Sequence, residues 1–156
     1  MGQLESDQTM EKEHEFVIDS SVVAKWFMIE ENSNLALGVR DKFATRQIKL
    51  AVPTLLFYEV MNALRFSDVF DESALATVAS SLSKYQFETW RPVGKLLELS
   101  ARLGLREDVT VYDACYVALA QRKGSKVITE DKELLKKFPA LTFPLTRFVR
   151  MKSEGR

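Results

Sequence analysis

Four acidic residues stand where a carboxylate can do chemistry: Asp19 in FVIDSSVVAKWF, Glu59 in YEVMNALR, Asp113 in TVYDACYVALA and Asp131 in VITEDKELL. Each falls where a short apolar run meets a helix start, or on a helix face. Carboxylates gathered together repel one another unless a cation neutralises them. A hard divalent ion such as Mg²⁺ or Mn²⁺ is the natural counter-charge, because it takes carboxylate and water oxygens. Such an ion polarises a phosphodiester and lowers the pKa of a bound water, so phosphodiester hydrolysis is the chemistry expected.

Each acid also has a plainer explanation. Asp19 suits a helix N-cap, although Ser20 and Ser21 beside it would cap equally well. Glu59 fits the polar side of an amphipathic helix, on a face shared with Asn62, Ala63 and Phe66. Asp113 completes a capping-box pattern with Thr110, but as a shorter acid than the preferred Glu. Asp131 falls in the first turn of a helix, where any acid gains from the macrodipole. Taken singly, each is ordinary. Together, at the ends of neighbouring elements, they form a constellation.

The elements that must position them alternate. Glu15 to Asp19 reads as a strand with the apolar centre Phe16-Val17-Ile18, followed by a helix from Ser20 or Ser21 through Met28. Leu35, Val39 and Phe43 recur at helical spacing, and Lys49 to Val52 reads as a second strand stopped by Pro53. Thr54 and Asp71 are expected to cap two further helices. Phe87 to Val93 contains Pro92 and is at best a short edge strand. A helix from Val93 should stop at Gly104. Thr110 opens a helix that runs to Gly124, Lys126 to Thr129 is a strand, Asp131 to Lys137 a helix, and Leu141 to Phe143 the last strand. Short strands that are apolar throughout and alternate with helices argue for an α/β parallel sheet covered by helices. In such sheets ligands sit beyond the carboxyl ends of the strands, where Asp19 and Asp131 fall.

Bulk properties narrow the field. The chain of 156 residues is 46% hydrophobic and 28% charged, the balance of one globular domain. Residues 1–14 read as a polar tail, with Met10 a plausible true start; 15–148 form the domain, and 149–156 a charged C-terminal tail. With 22 cationic and 22 anionic residues the formal net charge is zero. Proteins that hold nucleic acid mainly by counterion release are basic, so any such contact here is expected to be local, transient or made through metal. The single cysteine, Cys115, excludes an internal disulfide and reads as a buried thiol. The single histidine, His14, excludes His-based triads and His-rich zinc sites. No apolar run of about 18 residues marks a membrane span. The acidic leader also lacks a secretory h-region, so a cytoplasmic protein is expected.

The blocks VIDSSVVAKWF, YEVMNAL, VYDACYVALA and VITEDKEL, in this order and spacing over residues 15–148, resemble the PIN-domain ribonucleases, and most closely the VapC-type toxins of toxin–antitoxin pairs. The resemblance implies a PIN-like three-layer α/β/α fold with a five-stranded parallel sheet, and an endoribonuclease that needs Mg²⁺ or Mn²⁺. It carries Asp19, Glu59, Asp113 and Asp131 over as the acidic cluster. Asp19 and Asp113 would be the primary ligands, and the other two would act through water. Ser20 and Thr129 carry over as hydroxyls that steady acids and water, and Asn62 as the amide accompanying Glu59. A VapB-like antitoxin that covers the acids with a basic side chain is implied too, as is a homodimer built from helices of the first half. Trp26, Phe27, Phe66 and Phe70 are candidate apolar contacts for either partner, with core packing the expected role of at least half of them. Lys25, Arg40, Lys42, Arg46, Lys49 and Arg65 are the cations available to RNA, with plain solvated helix surface the expected role of most and Arg65 nearest the Glu59 face. The leader, Pro92 and Asp108 depart from the family pattern without removing a motif residue. A housekeeping PIN nuclease, a non-catalytic PIN-like module and a phospho-acceptor receiver domain remain as alternatives; the receiver is disfavoured because a lone acid follows the first strand.

Overall fold

The computed structural model describes residues 14–148; the expectations for the leader through Glu13, including Met10, and for residues 149–156 lie outside the described residues. The elements run β1 (Glu15–Ile18), α1 (Ser20–Ala24), α2 (Ser33–Ala44), β2 (Lys49–Pro53), α3 (Leu55–Arg65), α4 (Glu72–Lys84), β3 (Glu88–Trp90), α5 (Lys95–Glu107), α6 (Val111–Lys123), β4 (Val127–Thr129), α7 (Lys132–Lys137) and β5 (Thr142–Pro144). All five strands are parallel, in the order β3-β2-β1-β4-β5, with helices on both sides.

β1 is central because its sequence allows nothing else. Phe16, Val17 and Ile18 are all buried, so the strand has no wet face and must be covered on both sides. It pairs Val17 with Ala51 of β2 on one side and with Val127 of β4 on the other. The chain builds outward from β1 through β2 to β3, then returns to place β4 and β5 on β1's other side. The order therefore reverses between β1 and β4, which opens a crevice beyond their carboxyl ends. α6 covers this centre. Ala114 to Ala120 are all buried, and the helix packs on β1, β2, β4 and α5.

Several helix ends follow local chemistry. The Asp71 carboxylate accepts from the Ala74 amide at 2.7 Å and caps α4. The Thr110 hydroxyl accepts from the Asp113 amide at 3.1 Å and caps α6, which ends on Gly124 in the left-handed region at φ 64°. Other ends depart from expectation. α1 stops at Ala24, short of Met28, because the chain turns away there and Lys25 caps it. Thr54 precedes α3 but makes no side-chain cap. Gly104 does not stop α5, which runs on to Glu107. A Cβ on Gly104 would lie 3.1 Å from the Val109 carbonyl oxygen, so its missing side chain admits the incoming turn instead. β3 is an edge strand that ends two residues before Pro92.

Trp26 is buried, with ring centroid 6.0 Å from Phe87 and 5.0 Å from Tyr85. It belongs to the core, and of the four apolar residues named for partner contact only Phe66 is exposed; Phe27 and Phe70 are half-buried. Among the described residues no helix is long and apolar enough to cross a membrane.

Gly124→Ala tests the C-terminal cap of α6. A Cβ in the left-handed region should cost about 1 kcal/mol, read as a lower urea midpoint at unchanged m-value.

Candidate active site

Asp19 follows β1 directly, and its amide donates to the Ile128 carbonyl of β4 at 3.0 Å, so the backbone itself fixes it at the switch point. The residue occupies the N-cap position of α1 but its side chain caps nothing. Its Oδ2 instead accepts from the Ser21 hydroxyl at 2.8 Å and from the Thr129 hydroxyl at 2.8 Å. Only 5% of Asp19 is exposed. Burial pushes its carboxyl above the ordinary range; the two hydroxyl bonds oppose that, while Asp113 and Asp131 add to it.

Thr129 is fully buried and uses both sides of its hydroxyl. It donates to Asp19 and accepts from the Asp131 amide at 3.0 Å, locking the β4–α7 turn against β1. Asp131 is the N-cap of α7, one position before the first turn in which the sequence places it. Its Oδ1 accepts from the amides of Glu133 (2.9 Å) and Leu134 (3.1 Å), leaving Oδ2 for other partners.

Asp113 lies in the first turn of α6, half-buried. Its carboxyl is raised by burial, with the charges of Asp131 and Glu133 adding to the effect and Thr110 opposing it. Glu59, half-buried on α3, accepts from the Tyr116 hydroxyl at 2.6 Å. Burial raises Glu59 too, the Tyr116 bond opposes this, and the charges of Asp19 and Asp113 add to it. Tyr116 is itself fully buried, and its hydroxyl is pushed well above the ordinary range by burial and the Glu59 charge.

Among the described residues none of the ion pairs involves Asp19, Glu59, Asp113 or Asp131. No three Asp, Glu, His or Cys side chains there stand as a ready ligand group either. One oxygen each of Asp131 and Glu59 is turned to a protein donor. The donor chemistry still fits a hard divalent ion. It is all oxygen, it senses its own mutual repulsion, and it contains a buried carboxylate with no cationic partner among the described residues.

The expected helpers divide. Thr129 sits in the network. Ser20 reaches the Asp19 Oδ1 only at 3.5 Å and also faces Glu59 and Tyr116, so the close bond to Asp19 falls to Ser21. Asn62 is exposed one turn beyond Glu59, and Arg65 is exposed with its guanidinium over the Phe66 ring, 5.0 Å from the centroid. Both line a 460 Å³ groove with Tyr58, Glu59, Met61 and Leu75. Sequence reasoning missed Ser21 and Tyr116 as site residues. The signal for Tyr116 was its position one helical turn after Asp113 on a buried face, where a phenol needs a partner.

The parallel sheet with acids at its switch point is that of a PIN domain. A PIN-domain family model matches residues 16–140, and the chain belongs to that family. Within it the chain is of the VapC type. It is 32% identical over 132 residues to Ribonuclease VapC3 of Pyrobaculum aerophilum, covering 82% of this chain and 98% of that protein. It is 29% identical over 133 residues to Exonuclease VapC9 of the same organism, covering 82% and 97%. In fold it is similar to a toxin–antitoxin complex from Klebsiella pneumoniae, with TM-score 0.62, 16% identity, and 83% of this chain and 97% of that chain covered.

The raised carboxyl of Asp19 fixes the sign of its pH dependence. Its folded pKa lies above the unfolded one, so the stability it contributes is present below about pH 4 and lost as pH rises through the folded value. In metal-free protein Asp19→Asn should therefore be more stable than wild type above that window, by about 1 kcal/mol or roughly 2–4 °C, with the gap closing on acidification. Thermal melts of both proteins between pH 4 and 8, with chelator present, check this.

Proposed function

We propose that this chain is a Mg²⁺- or Mn²⁺-dependent endoribonuclease of the cytoplasm, the toxin of a VapBC-type pair. The observation that carries the reading is the buried Asp19, held by two hydroxyls among three other acids and paired with no cation among the described residues. Asp19 and Asp113 would hold the ion, with Glu59 and Asp131 acting through water. When bound, the ion supplies charge to the phosphodiester and lowers the pKa of a water.

The chain's own residues do the rest. Ser21 and Thr129 fix the Asp19 carboxylate, and Tyr116 fixes Glu59. Asp131, anchored through Oδ1 to its helix, has Oδ2 to orient a water. Arg65 and Asn62, on the exposed side of α3, meet the RNA backbone. With net charge zero, hold on RNA is weak without metal and turnover is transient.

A VapB-like antitoxin suits the groove beside Glu59. Tyr58, Met61 and Leu75 supply apolar contact for an inserted segment, and Glu59 is there to meet a basic side chain. The toxin–antitoxin title of the Klebsiella structure supports a partner of this kind. Tyr58, Phe66 and Val69 are exposed at 84%, 69% and 81%, which supports a homodimer through the first-half helices. The name Exonuclease VapC9 supports a second reading, cutting from an RNA end.

A circular and a linear RNA panel, each with Mn²⁺ or Mg²⁺, tests the proposal. Both substrates should be cut, chelator should stop it, and Asp113→Asn should lower the rate roughly 100-fold or more while still folding. Cutting of linear RNA alone would favour the exonuclease, and no cutting with either metal would overturn the nuclease reading.

A further inference from the structure

Lys25 caps α1, the short helix that Asp19 opens. Its ammonium donates to Glu30 Oε1 at 3.1 Å and to the Glu31 carbonyl at 2.9 Å, and it pairs with Glu130 Oε2 at 3.2 Å. An ammonium has three hydrogens, so this one is fully used. The other oxygen of Glu130 accepts from Asn32 Nδ2 at 2.8 Å, a contact between residues 98 apart in sequence. Only 12% of the Lys25 side chain and 21% of Glu130's are exposed, so water and salt screen the pair less than they would a surface bridge.

Glu130 lies between Thr129, which bonds Asp19, and Asp131, which caps α7. The β4–α7 turn is thus held from two sides. Inside, Thr129 ties it to the Asp19 carboxylate; outside, Glu130 ties it to Lys25 and Asn32. Asn32 adopts φ 64°, a left-handed conformation that a non-glycine residue keeps only where its surroundings fix it.

We propose that Lys25 is a positioning residue for the divalent ion, fixing through Glu130 and Asn32 the turn that carries Asp131 opposite Asp19. The inference rests on the metal-nuclease reading and assigns no contact between Lys25 and RNA or metal. It concerns where the acids stand before an ion arrives, and that is visible without catalysis.

The test compares wild type, Lys25→Met, Lys25→Arg and Glu130→Gln. The first readout is the Mn²⁺-induced rise in melting temperature without RNA. The second is amide exchange at Glu133 and Leu134, the amides capped by Asp131, in metal-free protein. The third is RNA cleavage as a function of Mn²⁺ concentration. Lys25→Met and Glu130→Gln should each raise the Mn²⁺ half-saturation concentration about tenfold and speed exchange at both amides. At saturating Mn²⁺, kcat should stay within about threefold of wild type and KM for RNA should not move; Lys25→Arg should recover most of the loss. If Lys25→Met fails to fold, Glu130→Gln, which keeps the side-chain shape, carries the same test. Wild-type Mn²⁺ response in a folded variant, or a fall in kcat with unchanged half-saturation, overturns the positioning role alone. A wild type that neither shifts its melting temperature with Mn²⁺ nor cuts RNA with it overturns the nuclease reading and this one with it.

Discussion

A carboxyl group with 5% exposure, surrounded by other acids, needs a hold that offsets part of what burial costs it. At Asp19 that hold is a fork of two hydroxyls, Ser21 from α1 and Thr129 from β4, both on Oδ2. The fork needs β1 and β4 adjacent and in register, which the pairing of Ile18 with Ile128 provides. It also needs α1 to begin at once after β1, as it does at Ser20. The sheet order is thus a precondition of the site. An antiparallel neighbour, or β4 on the far side of β2, would leave Thr129 out of reach.

The elements that could be read from the chain are those whose cause is local. β1 announces itself by an unbroken apolar run, α6 by a capping threonine and a terminal glycine, and the Asp71 cap by its residue type. What escaped is set by tertiary contact. Gly104 looks like a stop signal, yet it serves the approach of the Val109 carbonyl, a fact that resides in the next turn of chain. Which of two adjacent serines reaches Asp19 depends on the rotation of α1, and no composition rule distinguishes Ser20 from Ser21. Trp26 looks available to a partner until Tyr85 and Phe87 close around it. The four acids were legible as types and positions. Their present orientations, two of them engaged by Tyr116 and by backbone amides, were not.

Those orientations belong to a cluster whose members act on one another. Burial and mutual repulsion raise Asp19, Glu59 and Asp113 together, while each has a hydrogen bond working the other way. The net direction disfavours the ionised form of each relative to water, and a bound cation would act the other way. Tyr116 and the α7 amides occupy one oxygen of Glu59 and Asp131 respectively, which keeps these side chains ordered without removing them from use.

The distribution of cations completes the argument. A chain with equal numbers of each charge could neutralise every acid, yet the ion pairs among the described residues serve Glu30, Asp41, Glu88, Glu98, Glu130 and Glu133. Glu130 and Asp131 are neighbours on one turn with opposite fates: the first is bound to Lys25, the second is left to helix amides. Burial of unpaired charge destabilises a fold, so a structure that spends its lysines one residue away from where they would relieve that cost is constrained by something other than stability. The constraint is an open demand for positive charge at the carboxyl edge of β1 and β4. Under the proposed function, a hard ion or the basic side chain of a partner would meet that demand at the same place.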